Sequence, residues 1–149
     1  MYKLFALFIC LFLLAGCGDN NGGYADAPAR SADAIDLDLV AMSGTMMYAA
    51  IGNLFMRAPN HLGDIIRVQG IYQPFFWHAT GLYYHYLTID SALGCCPQGI
   101  EFRLPTEALF PYDFPPIGAL VEITGVFSSY EEMENTFFYV AAEGFIVVE

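Results

Sequence analysis

The chain has 149 residues, 56% of them hydrophobic and 16% aromatic, with sixteen acidic side chains against five basic ones and a formal net charge of −11. A nucleic-acid binder needs a basic face to displace condensed counterions, and a surface that adheres to anionic headgroups needs a polybasic patch. Neither is legible here, so the composition predicts no nucleic-acid partner and no electrostatic adhesion to a membrane.

The first seventeen residues have three parts: a positive start at Lys3, an apolar run from Leu4 to Leu14, and the close Leu14-Ala15-Gly16-Cys17. The run falls short of the ~20 apolar residues of a membrane helix, and the order of parts is that of a secretory signal. Leu14-Ala15-Gly16-Cys17 resembles the lipobox of bacterial lipoproteins. That resemblance implies a signal peptide over 1–16, cleavage before Cys17, and a diacylglycerol and palmitate-type anchor on Cys17. The domain would then stand outside the cytoplasm, held to the bacterial cell membrane or outer membrane by lipid. Cys10 lies in the removed segment, as does Lys3, the only lysine. Residues 18–38 are poor in large apolar side chains and rich in Gly, Ala, Asp and Asn, which predicts a flexible tether. The lipidated cysteine and tether together are assigned to 17–42, and one domain to 43–149.

Within that domain, Ser43 or Thr45 can cap a helix. Met46, Met47, Ala50, Ile51, Leu54 and Phe55 recur at helical spacing, and Pro59 and Gly63 end the pattern. From Asp64 the period falls to two. Ile66, Val68 and Tyr72 share one face and Arg67 and Gln69 the other, with Gly70 as a bend or bulge. A second strand spans about Leu82 to Asp90, with Tyr83, His85, Leu87 and Ile89 opposite Tyr84, Tyr86 and Thr88. A third covers Gly99 to Leu104 and a fourth Ala119 to Phe127, where Gly125 reads as a bend. The acidic turn Glu131-Glu132-Met133-Glu134-Asn135 leads into a fifth, Thr136 to Val148, broken near Gly144. Four prolines between Pro105 and Pro116 exclude a long helix there. The class is mainly β: one N-terminal helix, then a small five-stranded barrel.

This pattern resembles the OB-fold, a five-stranded Greek-key barrel. Gly63-Asp64-Ile65-Ile66-Arg67-Val68-Gln69-Gly70 is similar to the first strand of many bacterial OB domains, and Gly118 to Gly125 to their fourth. Cys95-Cys96-Pro97-Gln98-Gly99-Ile100-Glu101-Phe102 resembles a phrase in a group of bacterial lipoproteins of unassigned activity that carry such a domain. The likeness spans about Thr45 to Val147. It departs from the OB pattern in lacking a helix between strands three and four.

Chemistry is concentrated in two places. Cys95 and Cys96 are the only cysteines left after Cys17, and three readings stay open: a strained vicinal disulfide or tight turn, a metal chelate, and thiol exchange. A chelate would draw on His85 or His78, and zinc is the metal that suits such a set. None of the usual four-ligand zinc spacings appears, however, so no cofactor is assigned. The second place is the loop Pro74-Phe75-Phe76-Trp77-His78. OB-folds take ligands there, and Phe75, Phe76 and Trp77 with Tyr84 and Tyr86 form the candidate binding surface, for a protein or a small ligand. His85 also reads as a hydrogen-bonded core residue. No nucleophile elbow, phosphate loop or dinucleotide fingerprint is present. The leading expectation is a lipid-anchored extracytoplasmic binding module. A metal-handling accessory domain on Cys95 and Cys96 is the alternative, and a carboxylate hydrolase a third reading.

Overall fold

The computed structural model describes residues 34–90, 94 and 96–149. Residues 1–33, with Cys17 and the proposed signal and most of the tether, lie outside the described residues, and so does Cys95. The chain forms strand β1 (Leu37–Asp38), helix α1 (Gly44–Met56), and strands β2 (Ile65–Trp77), β3 (Leu82–Ile89), β4 (Gln98–Arg103), β5 (Leu120–Glu132), β6 (Asn135–Ala142) and β7 (Ile146–Val147). The architecture is mainly β: one seven-stranded sheet with a single α-helix among the described residues. That helix is not long and apolar enough to cross a membrane.

One short strand, β1, was not expected. Leu37–Asp38 pairs parallel with Ile66–Arg67, and Leu39 is fully buried. The segment assigned to the tether is therefore part of the fold from β1 onward. Its anchor is ionic as well as apolar: Arg67 reaches Asp38 of β1 and Glu122 of β5, the latter at 2.8 Å. The fifth expected strand is two, β6 and β7, with Gly144 and Phe145 between them.

Pairing runs β2–β3–β4–β6–β5, and β5 pairs again with β2 through Ile65↔Val126 to Ile71↔Leu120. All these contacts are antiparallel except β4–β6. Ile66, Val68, Tyr72, Leu87 and Ile89 are inward as the alternation has it, whereas Tyr83, placed on the face of Leu87, is 50% exposed. Ile66, Val68, Tyr72, Leu87, Ile100, Phe102, Val121, Phe127 and Val140 are all fully buried, and Met47, Ile51 and Leu54 of α1 join the same core. Each such side chain contributes about 1.5–3 kcal/mol on leaving water. Met46, expected on the apolar face, is 62% exposed. Ser43 stands at the helix N-cap but makes no side-chain cap bond.

Two glycines mark close approaches of backbone. A Cβ on Gly70 would meet the Thr88 carbonyl oxygen at 2.9 Å, and one on Gly125 would run into the Ala141 carbonyl. Burial alternates along β2 only as far as Tyr72. Past that point β2 leaves the core and, with β3, forms a projecting hairpin arm. Tyr72 bonds Gly118 and Ala119 on its outer side, so by the two-residue alternation Pro74 aims its missing N–H at the same open edge. β5 and β6 form a second arm, turned at Met133 and Glu134, both with positive φ.

Candidate binding site

The outward face of β3 and β4 carries Tyr84, Tyr86, Glu101 and Arg103, with Tyr86 directly opposite Glu101. An outward glutamate on a short strand is ordinarily solvated, yet Glu101 is 3% exposed. The two hairpin arms cover it. Trp77 at the end of β2 packs against Tyr84 at 5.9 Å and reaches Phe137 of β6 at 6.4 Å. Tyr84 donates its hydroxyl proton to Glu132 of β5 at 2.7 Å and lies 3.0 Å from Thr80 Oγ1. These bridges close the arms over the strands between them.

Beneath them Glu101 accepts from Arg103 Nε and from the Tyr130 hydroxyl, both at 2.9 Å. The Arg103 guanidinium lies 3.6 Å from the Tyr130 ring centroid and 4.8 Å from that of Tyr139. Burial pushes the Glu101 carboxyl above its ordinary range, while Arg103 and Tyr130 pull it part of the way back. Burial and then the Glu101 charge raise the Tyr86 phenol to about 12, and burial and then the hydrogen bond to Glu101 raise Tyr130, which stays a protonated donor. A cleft of about 450 Å³ opens beside this cluster, where β4 has ended and β3 runs on. Leu82, Tyr83, Tyr84, Glu101, Arg103 and Glu132 are among its walls. It offers aromatic faces, a donor and carboxylate acceptors within one concavity, which is the make-up of a ligand pocket.

The five aromatics expected to form one surface are divided between two faces. Trp77, Tyr84 and Tyr86 share the outward face with Phe75, which pairs with Tyr84. Phe76 points the other way, 5.0 Å from both His78 and Tyr83. The two-residue period requires this split, since neighbours in a strand cannot share a face. Arg103, Tyr130 and Glu132 were missed. Glu132 was read as part of a solvated tip cluster, and no local signal shows that its arm folds back onto Tyr84.

Among the described residues, Cys96 is not brought to His85 or His78. His85 pairs with Phe102 and Gln98 with Ile89, so Cys96 lies beyond the far end of β3, ~13 Å of strand from His85. His78 is at the opposite tip. Cys96 is exposed, and its carbonyl accepts from the Tyr48 hydroxyl of α1 at 2.7 Å. His85 is a core histidine. Its Nδ1 lies 2.7 Å from the Tyr72 hydroxyl and its ring stacks on Phe114 at 3.9 Å. Burial lowers His85 to about 4 and raises Tyr72 to about 12, so a neutral imidazole and a neutral phenol share this hydrogen bond at neutral pH. Among the described residues no group of three or more His, Cys, Asp and Glu is placed to hold a metal ion.

No protein-family model matches the chain, and no curated protein matches it in sequence. Among solved structures, the chain is similar to the N-terminal domain of PriB protein from Thermoanaerobacter tencongensis, with 16% identity and a TM-score of 0.38 over 57% of this chain and 96% of that one. The exclusion of nucleic acid as a partner does not stand, since it had rested on the charge balance and on the lack of a basic patch in the sequence. Charge summed over a chain does not decide what one face accepts.

Proposed function

We propose that the chain is a lipid-anchored extracytoplasmic binding module. The circuit β2–β3–β4–β6–β5 is read as an OB-like five-stranded Greek-key barrel, with the ligand taken beside Tyr83, Tyr84, Arg103 and Glu132. The observation that carries the binding reading is the cleft itself. Two hairpin arms hold a buried Glu101 and its partly exposed Arg103 partner among tyrosines at the wall of a concavity large enough for a small ligand or a side chain. The lipobox-like close at Cys17 supports the anchor.

The sole tryptophan, Trp77, packs on Tyr84, which lines the cleft, and therefore reports on occupancy. Titration of the full chain with neutral oligosaccharides, peptides and single-stranded oligonucleotides is expected to give a saturable change in Trp77 emission with one of the three. Tyr83→Ala, at a side chain 50% exposed, is expected to weaken that ligand about tenfold without altering the fold by circular dichroism. Emission unmoved by all three classes would remove the binding reading. The anchor is tested separately. Cys17→Ala is expected to abolish incorporation of radiolabelled palmitate, and unchanged labelling would sink it.

A further inference from the structure

Two more concavities adjoin the cleft, of about 440 and 550 Å³, and all three share Leu104 and Pro105 as walls. Together they make a trough that passes around the segment Leu104–Ala108. Its charge is one-sided. Glu101 and Glu132 line the first part, Glu107, Asp113 and Glu143 the second, and Glu143 again the third. Arg103 is the single basic residue in the walls, and it is already committed to Glu101. Glu107 and Glu143 are exposed, and so is Asp113, which accepts from the Leu109 N–H at 2.8 Å. At the open end stand Leu82, 55% exposed, and Tyr83, 50% exposed.

We propose that this trough docks an extended cationic peptide segment of a partner protein. The inference rests on the binding reading above and names the partner's chemistry. Charge complementarity selects the occupant: Glu101 and Arg103 offset one another, which leaves the carboxylates of Glu107, Asp113, Glu132 and Glu143 on the walls. Their spacing selects its form. The carboxylates are strung along the trough, and no three of the described acidic, histidine or cysteine residues converge as a metal site does. A row of separated negative charges fits a row of separated positive ones. Tyr83 and Leu82 supply a ring face for a guanidinium and an apolar surface for the methylene stem behind it.

The probe is a labelled twelve-residue peptide with four arginines, each followed by Ser-Leu, titrated by fluorescence anisotropy against the detergent-solubilised full chain. Binding is expected at 50 mM salt and to weaken about tenfold by 300 mM, as screening predicts. The double variant Glu107→Gln/Glu143→Gln is expected to weaken it at least about fivefold. Asp90→Asn, an exposed acid on β3's far end, is expected to change it less than about twofold. Equal weakening by both variants would mean bulk attraction only and would overturn the docking site. So would a glutamate version of the peptide binding as well as the arginine one, or a single-stranded oligonucleotide displacing it at lower concentration. If the peptide fails while another ligand class moves Trp77 emission, the binding reading survives and this inference falls.

Discussion

Replacing Arg103 by Met is expected to cost about 3 kcal/mol of stability at pH 8, among the largest effects of any substitution outside the apolar core. The reason lies in what is left behind. Glu101 is 3% exposed, and two groups hold its charge: Arg103 Nε and the Tyr130 hydroxyl. Burial already raises its carboxyl, and Arg103 is the larger of the two groups opposing that rise. Without the guanidinium, Glu101 climbs further above its unfolded value. The folded state then binds more protons than the unfolded one, so stability falls as pH rises through the folded pKa and is recovered below it. The deficit of Arg103→Met relative to the parent should therefore be smaller at pH 5 than at pH 8. Adding Glu101→Gln should restore at least half of the loss at pH 8, since the amide is neutral and its oxygen still accepts from Tyr130. Urea denaturation at both pH values measures all three. A pH-independent deficit, or no rescue by the second change, would show that Glu101 does not carry its charge in this environment.

The second large effect belongs to Gly125. It pairs with Ile66 on one side and Ala142 on the other, and a Cβ there meets the Ala141 carbonyl and the Ala142 Cα, all backbone. A flexible side chain can swing away from an added methyl, but a ladder between two paired strands cannot. Gly125→Ala is expected to cost about 3 kcal/mol or more, at the top of the range for overpacking. Gly70→Ala should cost less, because its contacts begin at 2.9 Å and include side-chain atoms of Leu87 and Ile89. Gly144, with nothing within 4 Å of its Cβ position, should tolerate alanine within about 0.5 kcal/mol. The order of the three urea midpoints is the test. Equal midpoints for the Gly125 and Gly144 variants would refute the steric account.

The inward half of this structure was legible because burial imposes a period. The alternation in Ile66-Arg67-Val68 assigned faces that the core confirms, and in β3 it placed Leu87 and Ile89 inward. Gly70 and Gly125 stood out for the same reason, as breaks in otherwise regular strands. β1 was not legible, since two residues carry no period and Leu37–Asp38 sit in a stretch whose composition reads as tether. The outward face failed differently. Alternation says that Glu101 and Tyr84 point away from the core, and it is right. Whether that face meets solvent depends on how far the β2–β3 and β5–β6 arms project and curl. That is fixed by Trp77 meeting Phe137, two residues from separate arms. His85 was legible as a core histidine by its place among Tyr83, Leu87 and Ile89. Its phenol partner lay thirteen positions earlier, on another strand.

The pairing of β2 with β5 joins residues about sixty positions apart, such as Ile65 with Val126. The hairpins β2–β3 and β5–β6, by contrast, turn within four and two residues. Loop-closure entropy makes the two hairpins quick to form and the long-range seam slow, because the chain between them must be ordered before that pairing is rewarded. Folding of this chain therefore belongs to the millisecond-to-second regime of non-local β topologies. Until the seam forms, the facing edges of β2 and β5 stand unpaired. Within those edges only Arg67 and Glu122 carry charge, and Pro74 guards only the stretch that stays open in the finished fold. The nascent state is thus the moment at which this domain is most exposed to aggregation.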